Sequence, residues 1–195
     1  MAEESTTPTK AFVGTEVSTL DTIFNDIEEV YFSKTAIEGA ASLKTIAEVI
    51  ELPVLEDGVT FNTGEAEITQ IKLTTEAIWT SKSKRGDADI SFNVPSVSKT
   101  ITDLFMNVKT DSVTDVPING TNYGGSGYNL NAKKVVGALI LPSQDKSVTI
   151  VLPKVELYAS FNAADGDNPA YFSVKATPVK NDEGVEIYIL QKTTT

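Results

Sequence analysis

Neither cysteine nor histidine occurs in the 195 residues of the chain. The first absence removes disulfides, thiolate nucleophiles and sulfur-ligated metal sites. The second removes the usual general base near neutral pH and the commonest transition-metal ligand. A Ser-His-Asp triad, a Cys-His pair and an ordinary zinc site are thereby excluded. Positive charge is also scarce: 16 Lys and Arg stand against 27 Asp and Glu, a formal net charge of −11. Tight binding of a phosphate backbone needs clustered Lys and Arg, so a nucleic-acid-binding role is disfavoured. No stretch reaches the roughly 18 consecutive apolar residues of a membrane-spanning helix. The opening MAEESTTPTK lacks the basic and apolar regions of a secretory signal, and the expectation is a soluble protein made in a cytoplasm.

What the sequence does hold is alternation. Hydrophobic residues make up 41% of the chain, enough for one sizeable domain over residues 11–195 behind a flexible N-terminus at 1–10. Over 71–79 the odd positions Ile71, Leu73, Thr75, Ala77 and Trp79 are mostly apolar while Lys72, Thr74 and Glu76 lie opposite, the period of a half-buried strand that only Ile78 breaks. After a polar turn at 81–86 the alternation returns, with Ala88, Ile90, Phe92 and Val94 on one face and Asp87, Asp89, Ser91 and Asn93 on the other. Pro95 ends that strand. Val97, Ile101, Leu104 and Phe105 then fall at helical spacing, so a short amphipathic helix is predicted over 98–106, with Ile101, Leu104 and Phe105 buried and Ser96 or Ser98 as N-cap. Trp79, on the apolar face of its strand, reads as core.

Further strands are predicted near 27–33, 47–55 and 59–61, the last two separated by the Asp57-Gly58 turn. The Gly/Ala-rich stretch 35–43 reads as an exposed loop or adaptable arm. Residues 111–131, with Pro117, Asn119-Gly120 and three glycines between 124 and 127, read as a long surface loop. Strands recur at 135–141, 148–152, 155–161, 172–176 and 185–189. The fold class is therefore mainly β: a β-sandwich or barrel-like sheets with a long hairpin and one flanking helix.

Short motifs carry little chemistry. Arg85-Gly86-Asp87 matches the integrin-binding tripeptide but reads as a basic hairpin turn whose glycine supplies positive φ. Asp165, Asp167 and Asn168 suggest calcium, yet the twelfth position counted from Asp165 is Ala176 where an EF-hand needs Glu. Ser96-Val97-Ser98-Lys99 fits S-x-x-K without a following K-T-G, so a helix-capping serine is the better reading. The loop NYGGSGYN lacks G-K-[ST] and is not a P-loop, and Asn119-Gly120-Thr121 is a sequon only in form. Carboxylate pairs such as Glu28/Glu29 and Glu65/Glu67 read as solvated faces. The expectation is a protein without catalytic activity, cofactor or metal.

The strand LPVLEDGVTF, the long ITQIKLTTEAIWTSKSK, the return RGDADISFNVPSVS, the helix opening SKTITDLF and the ending FSVKATPVKNDEGVEIYIL together resemble the core of major tail tube proteins of tailed phages and related injection machines. The resemblance covers residues 47–106 well and 134–190 loosely. It implies a β-sandwich with a flanking helix that assembles as a hexameric ring, strands of neighbouring subunits joining into a lumen-lining barrel. It further implies rings stacked around a tape-measure protein and closed by tail-completion proteins, and a conduit that passes DNA without binding it tightly. The virion tail is the location implied.

Two sets of residues acquire roles on that reading. Lys82, Lys84 and Arg85, at the expected hairpin tip of an acidic chain, would dock on carboxylates of an adjacent copy. Asp87, Asp89, Ser91 and Asn93, with Lys72, Thr74 and Glu76 across the hairpin, would line the lumen, where a negative band repels phosphates. The competing readings are another virion component, such as a head decoration or tail terminator protein, and a host- or carbohydrate-binding β-sandwich.

Overall fold

The structure, a computed structural model, describes residues 23–193 apart from positions 28, 57 and 165–168. The N-terminal segment at 1–10, Glu28 and the Asp165–Asn168 cluster lie outside the described residues. The chain is mainly β, with curled antiparallel sheets. Among the described residues twelve strands run in the order β1 (Val30–Ser33), β2 (Val49–Leu52), β3 (Val59–Asn62), β4 (Ala66–Lys72), β5 (Ile78–Arg85), β6 (Asp89–Val94), β7 (Asn107–Ile118), β8 (Thr121–Asn129), β9 (Lys134–Pro142), β10 (Val148–Asn162), β11 (Tyr171–Pro178) and β12 (Tyr188–Gln191), with helix α1 (Lys99–Phe105) between β6 and β7.

Eight strands form one sheet in the order β2-β1-β9-β10-β11-β6-β3, with β12 joined to β10. Its spine is β10. The two strands expected at 148–152 and 155–161 are one strand of 15 residues, interrupted by a register shift between Leu152 and Val155. At that irregularity the flank changes partner: Val148 to Val151 pair with β12, and Val155 to Asn162 pair with β11. The freed carbonyls are not wasted, since Pro153 O accepts from Ile37 N at 2.8 Å and Lys154 O from Val179 N at 2.8 Å. A bulge of this kind bends the strand and lets the sheet curl around its contents.

Those contents are the alternating residues read from the sequence. Ile90, Phe92 and Val94 of β6, Phe172 and Val174 of β11 and Val155 and Leu157 of β10 are buried in one cluster, and α1 closes it with Ile101, Leu104 and Phe105. Phe105 and Phe161 both lean on Phe172, with ring centroids 5.5 and 5.2 Å away. Ser98 is the N-cap residue as expected, but its side chain makes no bond to the helix. Its backbone N–H donates instead to Ser96 Oγ at 3.3 Å. Val97, placed on the helical stripe by spacing, is 58% exposed because it precedes the first turn.

The continuous apolar run of β9 has a separate cause. Leu139 and Leu141 face the main cluster, while Ala138 and Ile140 face a second one with Ile37, Leu43, Ile46, Val151 and Tyr188. A strand covered on both sides needs no polar alternation. Stretch 35–43 is accordingly not a free arm. Ile37 is buried, and a 3-10 helix at Ala40–Thr45 follows it. Buried Asn181 fixes this cover by donating from Nδ2 to Ile37 O at 3.2 Å while its Oδ1 accepts from Val185 N at 2.8 Å.

Candidate assembly surface

Among the described residues, two antiparallel hairpins, β4–β5 and β7–β8, belong to no larger sheet. Every residue of β4 and β5 is exposed, as is nearly all of β7 and the outer part of β8. Their apolar side chains are therefore in water: Trp79 is 70% exposed, Ile68 65%, Ile78 56%, Tyr123 53% and Ile118 52%. Trp79 is not core. The alternation that points to a core position is a local pattern on a strand that is exposed along its whole length among the described residues.

The first hairpin differs from the one read in the sequence. β5 pairs with β4, not with β6, in a register running from Ala66 opposite Arg85 to Lys72 opposite Ile78. Its turn is at 73–77, where Leu73 N donates to Ala77 O at 2.9 Å and Glu76 N to Leu73 O at 3.0 Å. Glu76 sits there at φ 64, a left-handed conformation for which glutamate gives no sequence signal. The base is closed by two glycines: Gly86 N donates to Glu65 O at 2.8 Å, and Gly64, at φ +86, approaches so closely that a Cβ on it would lie 2.4 Å from Gly86 O. The positive φ expected at Gly86 thus belongs to Gly64.

This change moves the candidate residues of β4 and β5 and parts them from those of β6. Lys82 and Lys84 lie along β5 opposite Thr69 and Glu67, not at a tip. Arg85 sits at the base and its guanidinium is taken by Glu186 of the same chain, which withdraws it from docking on another copy. Lys72, Thr74 and Glu76 are at the tip of β4–β5, whereas Asp89, Ser91 and Asn93 belong to the main sheet, paired with β3 and β11. Asp87 is in the connection between them. The two halves of the expected lumen face therefore do not share a surface. Asp89, Ser91 and Asn93 do point away from buried Ile90, Phe92 and Val94, and Lys175 of β11 stands opposite Ser91.

The second hairpin lies where a loop was expected. Residues 111–131 contain most of β7 and β8, joined by a two-residue turn with Asn119 at φ 49 and Gly120 at φ 81. That is the type I′ geometry Asn-Gly favours. The flanking strands gave no alternation because the ladder shifts register three times between Val108 and Val116, with Asp115 at φ 56 in the last shift. Pro117 and the glycines of β8 further lower the β-propensity. The usable signal was Asn-Gly itself.

A polar cluster binds this hairpin to α1. Lys99 Nζ donates to Asp103 Oδ2 at 2.9 Å, Asp111 Oδ1 at 3.0 Å and Ser126 Oγ at 3.1 Å. Ser126 Oγ donates to Asp111 O at 2.7 Å, and Tyr128 OH to Asp103 Oδ1 at 2.7 Å. Lys133 Nζ satisfies the end of the helix, donating to Asp103 O at 2.6 Å and Met106 O at 3.1 Å. Bonds from Lys99 and Tyr128 hold the Asp103 carboxyl below its ordinary range, and the bond to Asp103 raises the Tyr128 phenol. Desolvation lowers the Lys133 ammonium.

Among the described residues no group of His, Cys, Asp and Glu could hold a metal ion, and no helix is long and apolar enough to cross a membrane. No protein-family model matches the chain, and neither does any curated protein with which it was compared.

Proposed function

We propose that the chain is a structural subunit that associates with copies of itself, and specifically the tail tube subunit of a phage or related injection machine, forming stacked rings that conduct DNA. The observation that carries this reading is the pair of hairpins left outside the main sheet, with Trp79 70% exposed on the first. A two-stranded hairpin alone in water is marginally stable, and its unpaired edges invite pairing with another chain. Four such strands per subunit are economical only where a neighbour completes the sheet, which is the role strands take in the barrel of the resembling family.

Charge supports adjacency of unlike hairpins. With Arg85 engaged by Glu186, Lys72, Lys82 and Lys84 of the first hairpin stand against Glu67 and Glu76, while β7–β8 carries Asp111 and Asp115 against Lys109. The first hairpin of one copy is thus complementary to the second hairpin of the next. It also follows that β4–β5 is not an acidic band, so the repulsion of phosphate argued from Asp87 and Asp89 does not transfer to it. The tape-measure and tail-completion partners and the location in the virion tail stand with this proposal.

Negative-stain microscopy of the purified chain at high concentration is the direct test. Rings or tubes are expected, and a chain that remains monomeric by sedimentation across the same concentrations overturns the reading.

A further inference from the structure

We propose that Lys99 is a positioning residue that props the β7–β8 hairpin off the body of the protein as an arm with a releasable posture. An ammonium has three N–H donors, and those of Lys99 go to three different elements: Asp103 on α1, Asp111 on β7 and Ser126 on β8. No other side chain ties both strands of the hairpin to the helix in this way, among the described residues. Above the clamp, among the described residues, each strand pairs only with its partner.

Beneath the arm is a groove of about 500 Å³, lined on the body side by Val97, Met106, Phe161 and Phe172 and on the arm side by Gly124 and Gly125. Val97 and Phe161 are 58% and 47% exposed in it. The arm therefore has both room to close and an apolar surface to close upon. The two glycines offer no side chain to obstruct that approach, and the three register shifts of the ladder let it bend. What opposes closure is the clamp, whose lysine and aspartate side chains are 59% and 86% exposed at the Lys99–Asp111 pair. An exposed pair of this kind is weak, so the clamp is easily released. A docking copy that competes for Asp111 would release the arm without disturbing the core.

The posture is testable without assembly, so its failure is distinct from failure of the proposed function on which only its use in assembly rests. Because the chain has no cysteine, Thr121→Cys with Ser160→Cys gives a unique spin-label pair spanning arm and body. In the monomer, Lys99→Met should shift the distance distribution to shorter values and broaden it, and Lys99→Arg should restore the parent distribution. Asp111→Asn should move it in the same direction as Lys99→Met. A distribution unchanged in both Lys99→Met and Asp111→Asn, at unchanged circular dichroism, overturns the prop. If the parent assembles, Lys99→Met should slow assembly several-fold; equal rates would leave the arm's posture irrelevant to docking and overturn that use of it.

Discussion

Single residues decide how tightly the main sheet closes. Gly137 of β9 lies over β1, and a Cβ there would meet Ser33 O at 2.1 Å and the Phe32 ring at 2.5 Å. Both neighbours are fixed in the buried layer, so the strand itself has to move. Gly137→Ala should cost about 1–3 kcal/mol by overpacking, read as a lower midpoint in urea with an unchanged slope. Phe105 is 3% exposed and wedged against Phe172, so Phe105→Ala should lose about 3–5 kcal/mol. A loss below about 1 kcal/mol would mean the site collapses around the missing ring. Trp79→Ser, by contrast, should change monomer stability by less than about 0.5 kcal/mol, as a surface substitution does, while weakening self-association in sedimentation.

At the scale of elements, legibility followed burial. Helix α1 and strand β6 were read with their buried residues correct, because in each a periodic apolar face meets a real core: Ile101, Leu104 and Phe105 in one, Ile90, Phe92 and Val94 in the other. Both hairpins were misread for the converse reason. Alternation at 71–79 runs straight through a turn that Glu76 makes in a left-handed conformation, and β7–β8 shows no alternation because no residue of either strand is buried. The candidate site suffered most, since it was defined by faces of these hairpins. Lys82 and Lys84 kept their exposure and lost their place at a tip, and Arg85 proved to be engaged by Glu186. Lys82→Glu with Lys84→Glu reverses the charge complementary to Asp111 and Asp115; the double variant should weaken association while leaving the urea midpoint within error of the parent.

The clamp on α1 has a pH window set by its own members. Asp103 is lowered from its ordinary value of 3.8, so its contribution is full above that value and is lost as pH falls through the lower folded one. Lys99 and Tyr128 are raised from 10.5 and 10.0; their contributions are full below those values and are lost as pH climbs through the higher folded ones. Arm distances in the spin-labelled monomer should therefore be constant between about pH 5 and 9 and change outside that range. A change centred near neutrality would point to a group other than these.

For the whole molecule, the formal charge of −11 sets a repulsion that any ring of copies has to overcome. Screening acts within about 10 Å at 0.1 M salt, so association should strengthen as salt rises from about 0.01 to 0.15 M. Weakening over that range would show the hairpin charge complementarity outweighing the net repulsion. Either result is read from sedimentation at fixed protein concentration.

The sheet order also governs when the molecule can exist at all during synthesis. β1, at residues 30–33, finds its inner neighbour only in β9, and β6 finds one of its neighbours only in β11, near residue 175. The spine β10 then waits for β12 at residues 188–191. Pairings this distant in sequence close late and slowly. Both sticky hairpins leave the ribosome before the sheet that carries them is complete, so the interval between translation and closure is when wrong partners compete, and slow synthesis of the last fifty or so residues would lengthen that exposure.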